Sequence, residues 1–179
     1  PGTKSTVSDL EYLKKSGLAE KIFSALKKKT APLVIGICGG YQMLGLSVSD
    51  PYKAEEGGEM RGMELLPLRT VMEKDKTRNR VKGVFGSING IFCRLSGMDF
   101  EGYEIHMGRS VMPENAAAIC CCTMQNGQPA DRADGYQAGN VYGTYIHGIF
   151  DNISAARCIA QSKARKKGIG TVSGESMDY

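Results

Sequence analysis

The chain has 179 residues, 41% of them apolar and 23% charged, with a formal net charge of +4. That length supports one domain with a sizeable core, and so mild a charge argues against a nucleic-acid-binding protein. No apolar run in it is long enough to span a bilayer as a helix.

The chain opens on "PGTKSTVSDL", with neither an initiator Met nor a leading strand, so a fragment is expected. Ser8 and Glu11 have capping-box spacing, and Leu10 and Leu13 follow on one face. A first helix ending at Gly17 is therefore predicted. "LAEKIFSALKKK" puts Leu18, Ile22, Ala25 and Leu26 at helical spacing and predicts a second. "PLVIGIC" reads as a fully buried strand of the parallel-sheet kind, and "YQMLGL" as a helix after it. From Ser47 to Pro67 the chain reads as a polar, glycine-bearing loop, long for a plain connection. Strand-like runs follow. In "GVFGSINGIFCRL" the pair Asn89-Gly90 between apolar runs predicts a hairpin. "EGYEIHMGRSVM", "AAAICCCTM" and "GNVYGTYIHGIF" are further strands, and "NISAARCIAQSKARKKG" a closing helix capped by Asn152 or Ser154. The basic patches at residues 26–30 and 162–168 are predicted to be solvated helix ends.

Six cysteines are present, at 38, 93, 120, 121, 122 and 158, with no CxxC pair and no spacing against the two histidines that suits zinc. Cys120 to Cys122 alternate in direction on a strand, so they are read as small core residues and no metal is expected. Free thiols without an export signal point to a reducing, cytoplasmic setting.

Two features carry chemistry. Gly36-Ile37-Cys38-Gly39-Gly40, between a strand and a helix, has the G-x-Nuc-x-G form of a nucleophile elbow. The glycines give room for a sharp turn, the following helix is expected to lower the thiol pKa, and the Gly39 amide faces a developing oxyanion. The other reading of Cys38 is a core cysteine in a glycine-rich turn. A thiol nucleophile needs a base, and the candidates are His147, at the end of a strand, and His106, which alternates with Glu104. His147 is the better placed, since α/β sites form where strands end.

With these residues in view, the chain resembles the glutamine amidotransferase domain of cobyric acid synthases. The resemblance runs through "PGTKSTVSDLEYLKKSG", "GICGGYQMLG", "DPYKAEEGGEMRGMELLPLRT", "GYEIHMGRS" and "GTYIHGIFDN", in that order. It implies a three-layer, class I (flavodoxin-like) α/β domain over residues 1–179. The expected sheet is mixed and largely parallel, flanked by helices, with an antiparallel hairpin element. It implies Cys38 as nucleophile and His147 as base, with the Gly39 amide and the Gly2-Thr3 backbone as oxyanion donors. Tyr41, Gln42, Glu104 and His106 would shape the glutamine site. Ile149 stands where many triad amidotransferases carry Glu, so nothing obvious orients His147; Asp151 is one candidate. The loop at 47–62 would cover the glutamine site or face a partner domain.

The resemblance further implies no cofactor in this domain and a synthetase domain of the same polypeptide upstream, which would use ATP and Mg. Glutamine and a corrinoid, reached through that domain, would be the partners, with no nucleic acid and no membrane. The ammonia would amidate the b, d, e and g carboxylates of adenosylcobyrinic acid a,c-diamide. The alternatives are the glutaminase part of a cobyrinic acid a,c-diamide synthase or of a peptidoglycan-amidating ligase, and an inactive docking module.

Overall fold

In the computed structural model, which describes residues 1–114 and 116–166, Thr6–Lys15 forms α1 and Leu18–Leu26 forms α2. The predicted capping box at Ser8 does not form. The N-cap of α1 lies three residues earlier, at Ser5, and the Ser8 hydroxyl donates to Glu56 instead. The first turn is satisfied from afar: Glu55 accepts from the Thr6 hydroxyl at 3.0 Å and from the Val7 amide at 3.2 Å. A carboxylate there also complements the positive end of the helix.

Val34–Ile37 is β1, and Gly39–Met43 is the short helix α3. β1 pairs in parallel with β9 (Val141–Thr144), which pairs antiparallel with β8 (Tyr136–Ala138). β1 is less buried than expected, with Ile35 37% exposed. It is the edge of this three-stranded sheet among the described residues.

The second sheet has β2 (Ser47–Asp50), β3 (Gly58–Arg61), β4 (Arg69–Phe85), β5 (Asp99–Val111), β6 (Cys120–Gln125) and β7 (Gln128–Asp134). Its order is β3-β2-β4-β6-β7, with β5 also on β4. The expected α/β class with mixed sheets is present. Its antiparallel part is larger than the hairpin expected, because the long β4 pairs antiparallel with both β5 and β6. The hairpin lies at Asn126-Gly127, between β6 and β7, where both residues have positive φ (51° and 81°). At Asn89-Gly90 the chain enters a 3-10 turn, Gly90–Leu95, instead of a hairpin. Phe92 and Leu95, three apart, are buried there, and the Asn89 carbonyl accepts from Tyr142 Oη at 2.7 Å. Tertiary packing overrides the local turn signal.

The stretch read as a loop from Ser47 contains β2 and β3. Asp50, 1% exposed, accepts from the amides of Ala54, Glu55 and Gly57 at 2.8–2.9 Å. Burial works against its charge, but those amides outweigh it and hold the carboxyl below its ordinary range. The carboxylate thereby fixes the segment that carries Glu55.

β9 links two apolar clusters. Val141 and Tyr145 pack with residues of α1, α3 and β2. Tyr142 and Ile146, on the opposite side of the chain, pack with the 3-10 turn, Phe85, Phe100 and Ala155 of α4 (Ile153–Lys166). The small sheet thus has helices on both faces, as a layered α/β domain requires. Lys167 and Gly168 of the second basic patch lie outside the described residues. Among the described residues no helix is long and apolar enough to cross a membrane.

Candidate active site

Cys38 follows β1 directly, and its backbone has φ 55° and ψ −113°, a conformation that strains any side-chain-bearing residue. Its amide donates to the Thr144 carbonyl at 2.8 Å, which ties the turn to the end of β9. The glycines of the elbow are there for contact. A Cβ on Gly36 would lie 2.6 Å from Leu44 Cδ1, and one on Gly39 would lie 2.5 Å from Thr3 Cγ2. The opening "PGT" segment therefore docks on the elbow, and the Gly40 amide donates to the Pro1 carbonyl at 3.0 Å.

Gly2 lies between Cys38 and His147. The point where its Cβ would sit is 3.4 Å from both Cys38 Cβ and His147 Nε2, and 2.7 Å from His147 Cε1. One methyl at this position would press on the imidazole. Gly2→Ala is therefore expected to lower kcat for glutamine hydrolysis by about 100-fold, the scale of a 1 Å misplacement of reacting groups. Unchanged turnover in that variant would contradict this placement.

The two side chains open on a cavity of about 470 Å³ that Thr3, Thr6, Gln42 and His106 also line. Gln42 is fixed from both ends: Oε1 accepts from Thr6 Oγ1 at 3.1 Å, and Nε2 donates to Tyr145 Oη at 3.3 Å. His106 stacks on Tyr145 with centroids 3.9 Å apart, and its Nδ1 bonds the Gly108 carbonyl at 2.7 Å. Burial pushes its pKa down, which favours neutral imidazole with the proton on Nδ1.

The structure separates two expected site residues from the cavity. Tyr41 is 1% exposed, packs edge-on to Tyr145 and donates to Met112 Sδ, so it belongs to the core. Glu104 is 1% exposed and bonds Arg132 at 2.7 Å and Asn79 at 3.2 Å. It lines a neighbouring groove with Tyr103 and Ile105. Asp151 does not orient His147 either: it lines that same groove, and no hydrogen bond reaches the His147 ring among the described residues.

The thiol differs from expectation as well. Burial is the largest influence on Cys38 and pushes its pKa up, although the Gly39 amide pulls it down. Glu55 adds to the rise and Lys76 opposes it. α3 has only five residues, so its end cannot offset desolvation. Burial lowers the His147 pKa. Neutral thiol beside neutral imidazole is the resting pair, and Cys38 Sγ donates to the Ile105 carbonyl at 3.4 Å.

Three residues of the cavity wall were not singled out by the sequence: Glu55, inside the 47–62 segment expected near the site, Tyr103, inside the "GYEIH" block, and Lys76, which carried no signal. Glu55 comes from the segment that Asp50 fixes. Lys76 lies where the β4–β5 register shifts between Met72 and Thr77. Such an irregularity re-aims side chains next to sites.

The family described as CobB/CobQ-like glutamine amidotransferase domain matches residues 1–155. A cobyric acid synthase of Ruminiclostridium cellulolyticum is 47% identical over 170 residues, which cover 94% of this chain and 33% of the relative. Cobyric acid synthases of Dehalococcoides mccartyi and Lachnoclostridium phytofermentans are 44% and 39% identical, covering 94% and 100% of this chain. They are matched over 34% and 36% of their own length, so the chain spans about a third of these curated relatives. Among solved structures, PurLQS from Thermotoga maritima superposes with a TM-score of 0.54 at 18% identity, over 84% of this chain and 68% of that one. A second structure, named as a glutamine amidotransferase, gives 0.52 at 14% identity, over 94% of this chain and 77% of that one. These structural likenesses concern the fold.

Proposed function

The chain belongs to the family of CobB/CobQ-like glutamine amidotransferase domains, and on that premise we propose that it is the glutaminase half of a cobyric acid synthase. The observation that carries the reading is the placement of Cys38, on a strained turn, and His147 around the Gly2 backbone at one cavity.

The chemistry follows from that pair. His147 takes the Cys38 thiol proton as sulfur attacks the side-chain amide carbon of glutamine. The Gly39 amide, with the Gly2-Thr3 backbone beside it, receives the negative charge of the tetrahedral intermediate. The carbon–nitrogen bond breaks, the imidazolium returns its proton to the leaving nitrogen, and ammonia departs. Water then adds to the thioester, with His147 taking its proton, and glutamate leaves as the thiol is re-formed. Gln42 and His106 shape the pocket. Glu55 and Lys76 supply one charge of each sign for the ammonium and carboxylate of the amino acid.

The ammonia serves an ATP- and Mg-dependent synthetase domain of the same polypeptide, where corrinoid carboxylates are amidated. The names and the threefold greater length of the relatives support that extension. Diazo-oxonorleucine, a glutamine-shaped electrophile, tests the reading. It is expected to add once per chain, at Cys38, as read by peptide mass spectrometry. Labelling of Cys93 or Cys121 with Cys38 spared would overturn it.

A further inference from the structure

His147 has to present one nitrogen to the Cys38 thiol, yet no side chain bonds its ring among the described residues. Ile149, 1% exposed, stands two residues later and has no polar atom to offer. A different contact holds this histidine. Tyr103 and His147 exchange two backbone hydrogen bonds as an isolated antiparallel bridge, Tyr103 N to His147 O at 3.1 Å and His147 N to Tyr103 O at 2.8 Å. Their rings lie almost parallel, 6° apart, with centroids separated by 5.0 Å.

Core packing does not require this arrangement. Tyr103 is 49% exposed, and His147 is its only ring neighbour among the described residues. The strand approaches closely because residue 102 is glycine: a Cβ there would lie 2.4 Å from the His147 carbonyl oxygen. The ring edge at Cε1 meets the Gly2 backbone.

We infer that Tyr103 is the positioning residue of the Cys38–His147 pair, its ring face setting the plane of the imidazole where no carboxylate does so. The inference rests on the reading of His147 as the base. A stacked face differs from a carboxylate acceptor in one respect: it fixes the ring plane and leaves the choice of tautomer open. The contact uses the aromatic face, so the phenol oxygen is dispensable.

Steady-state glutamine hydrolysis by the full-length protein tests this. Tyr103→Phe keeps the face and is expected to retain kcat and KM within twofold. Tyr103→Ala and Tyr103→Leu remove the face and are expected to lower kcat about 30-fold with KM within threefold, since misorientation acts on the chemical step. Leu retains apolar bulk, so a shared loss in the two variants separates ring orientation from packing. The inference is overturned if either variant keeps more than half of kcat, or if Phe loses as much as Ala. His147→Ala is run in parallel. If it is inactive while Tyr103→Ala is fully active, only the inference fails. If it turns over normally, the assignment of the base fails and the inference with it.

Discussion

Cys38→Ala is expected to lower kcat for glutamine hydrolysis by at least about 10⁵-fold, the scale seen when the nucleophile of a catalytic unit is removed. No other thiol can substitute. Cys120 and Cys122 point into the core from β6, and burial raises both pKa values, that of Cys122 to about 11. Cys93, Cys121 and Cys158 do not line the cavity. Stability should move the other way. A non-glycine residue at φ 55° and ψ −113° stores strain of about 1–3 kcal/mol, and glycine relieves it at some cost in unfolded-chain entropy. Cys38→Gly is therefore expected to be as inactive as the alanine variant and to unfold at a higher urea concentration than Cys38→Ala, with the slope of the transition unchanged. A lower midpoint for glycine than for alanine would show that the elbow is not strained.

That strain explains why this half of the site is legible in the sequence. An elbow is a local device, and its requirements fall on adjacent residues: glycine at 36, 39 and 40, and a reactive side chain at 38. His147 is legible for a different reason, since the chain offers two histidines and this one stands at the end of a predicted strand. The elements around the first strand are readable because their spacing is periodic and their ends carry glycine.

What was not legible depends on distance along the chain. α1 is capped by Glu55 from 48 residues away, and no local pattern announces that. The charged run 73–80 sits inside β4, where one strand edge pairs with β5 and the side chains are largely solvated. Alternating polarity is missing there, so periodicity is silent. Asn-Gly occurs twice, and the hairpin forms only where both flanking strands have a partner to pair with in the sheet. Nearness to a motif also misleads about side chains. Tyr41 follows the elbow by three residues, but α3 turns it into the core. Glu104 belongs to the "GYEIH" block, but strand alternation sends it to the buried face beside Arg132, and Tyr103, one residue before, reaches the histidine. A helix start after Cys38 predicts a lowered thiol pKa, but α3 is only five residues long and burial of the sulfur raises it.

The neutral pair has a measurable consequence for pH. A base accepts a proton only while it is neutral, and burial holds the His147 pKa below its ordinary 6.5. A lowered pKa keeps the base competent to lower pH, so the acid limb of kcat/KM is expected to have its midpoint below 6.5. Activity is then lost as pH falls through that midpoint. His147→Ala removes the proton acceptor and should cost about 10³-fold in kcat/KM at neutral pH, within the range for general acid–base catalysis. The pH dependence should change form as well. With no base, the small residual rate depends on spontaneous ionisation of Cys38, whose pKa burial raises above the ordinary 9.0. The residual rate should climb tenfold per pH unit through neutrality and beyond pH 9, with no acid limb near 6. A pH profile of glutamine hydrolysis by the two proteins, from pH 5 to 10, checks both points. A wild-type midpoint above 6.5 would contradict the lowered imidazole pKa. An alanine variant with the wild-type profile would remove His147 from the chemistry and leave His106, its Nδ1 already bonded to Gly108, as the group to test next.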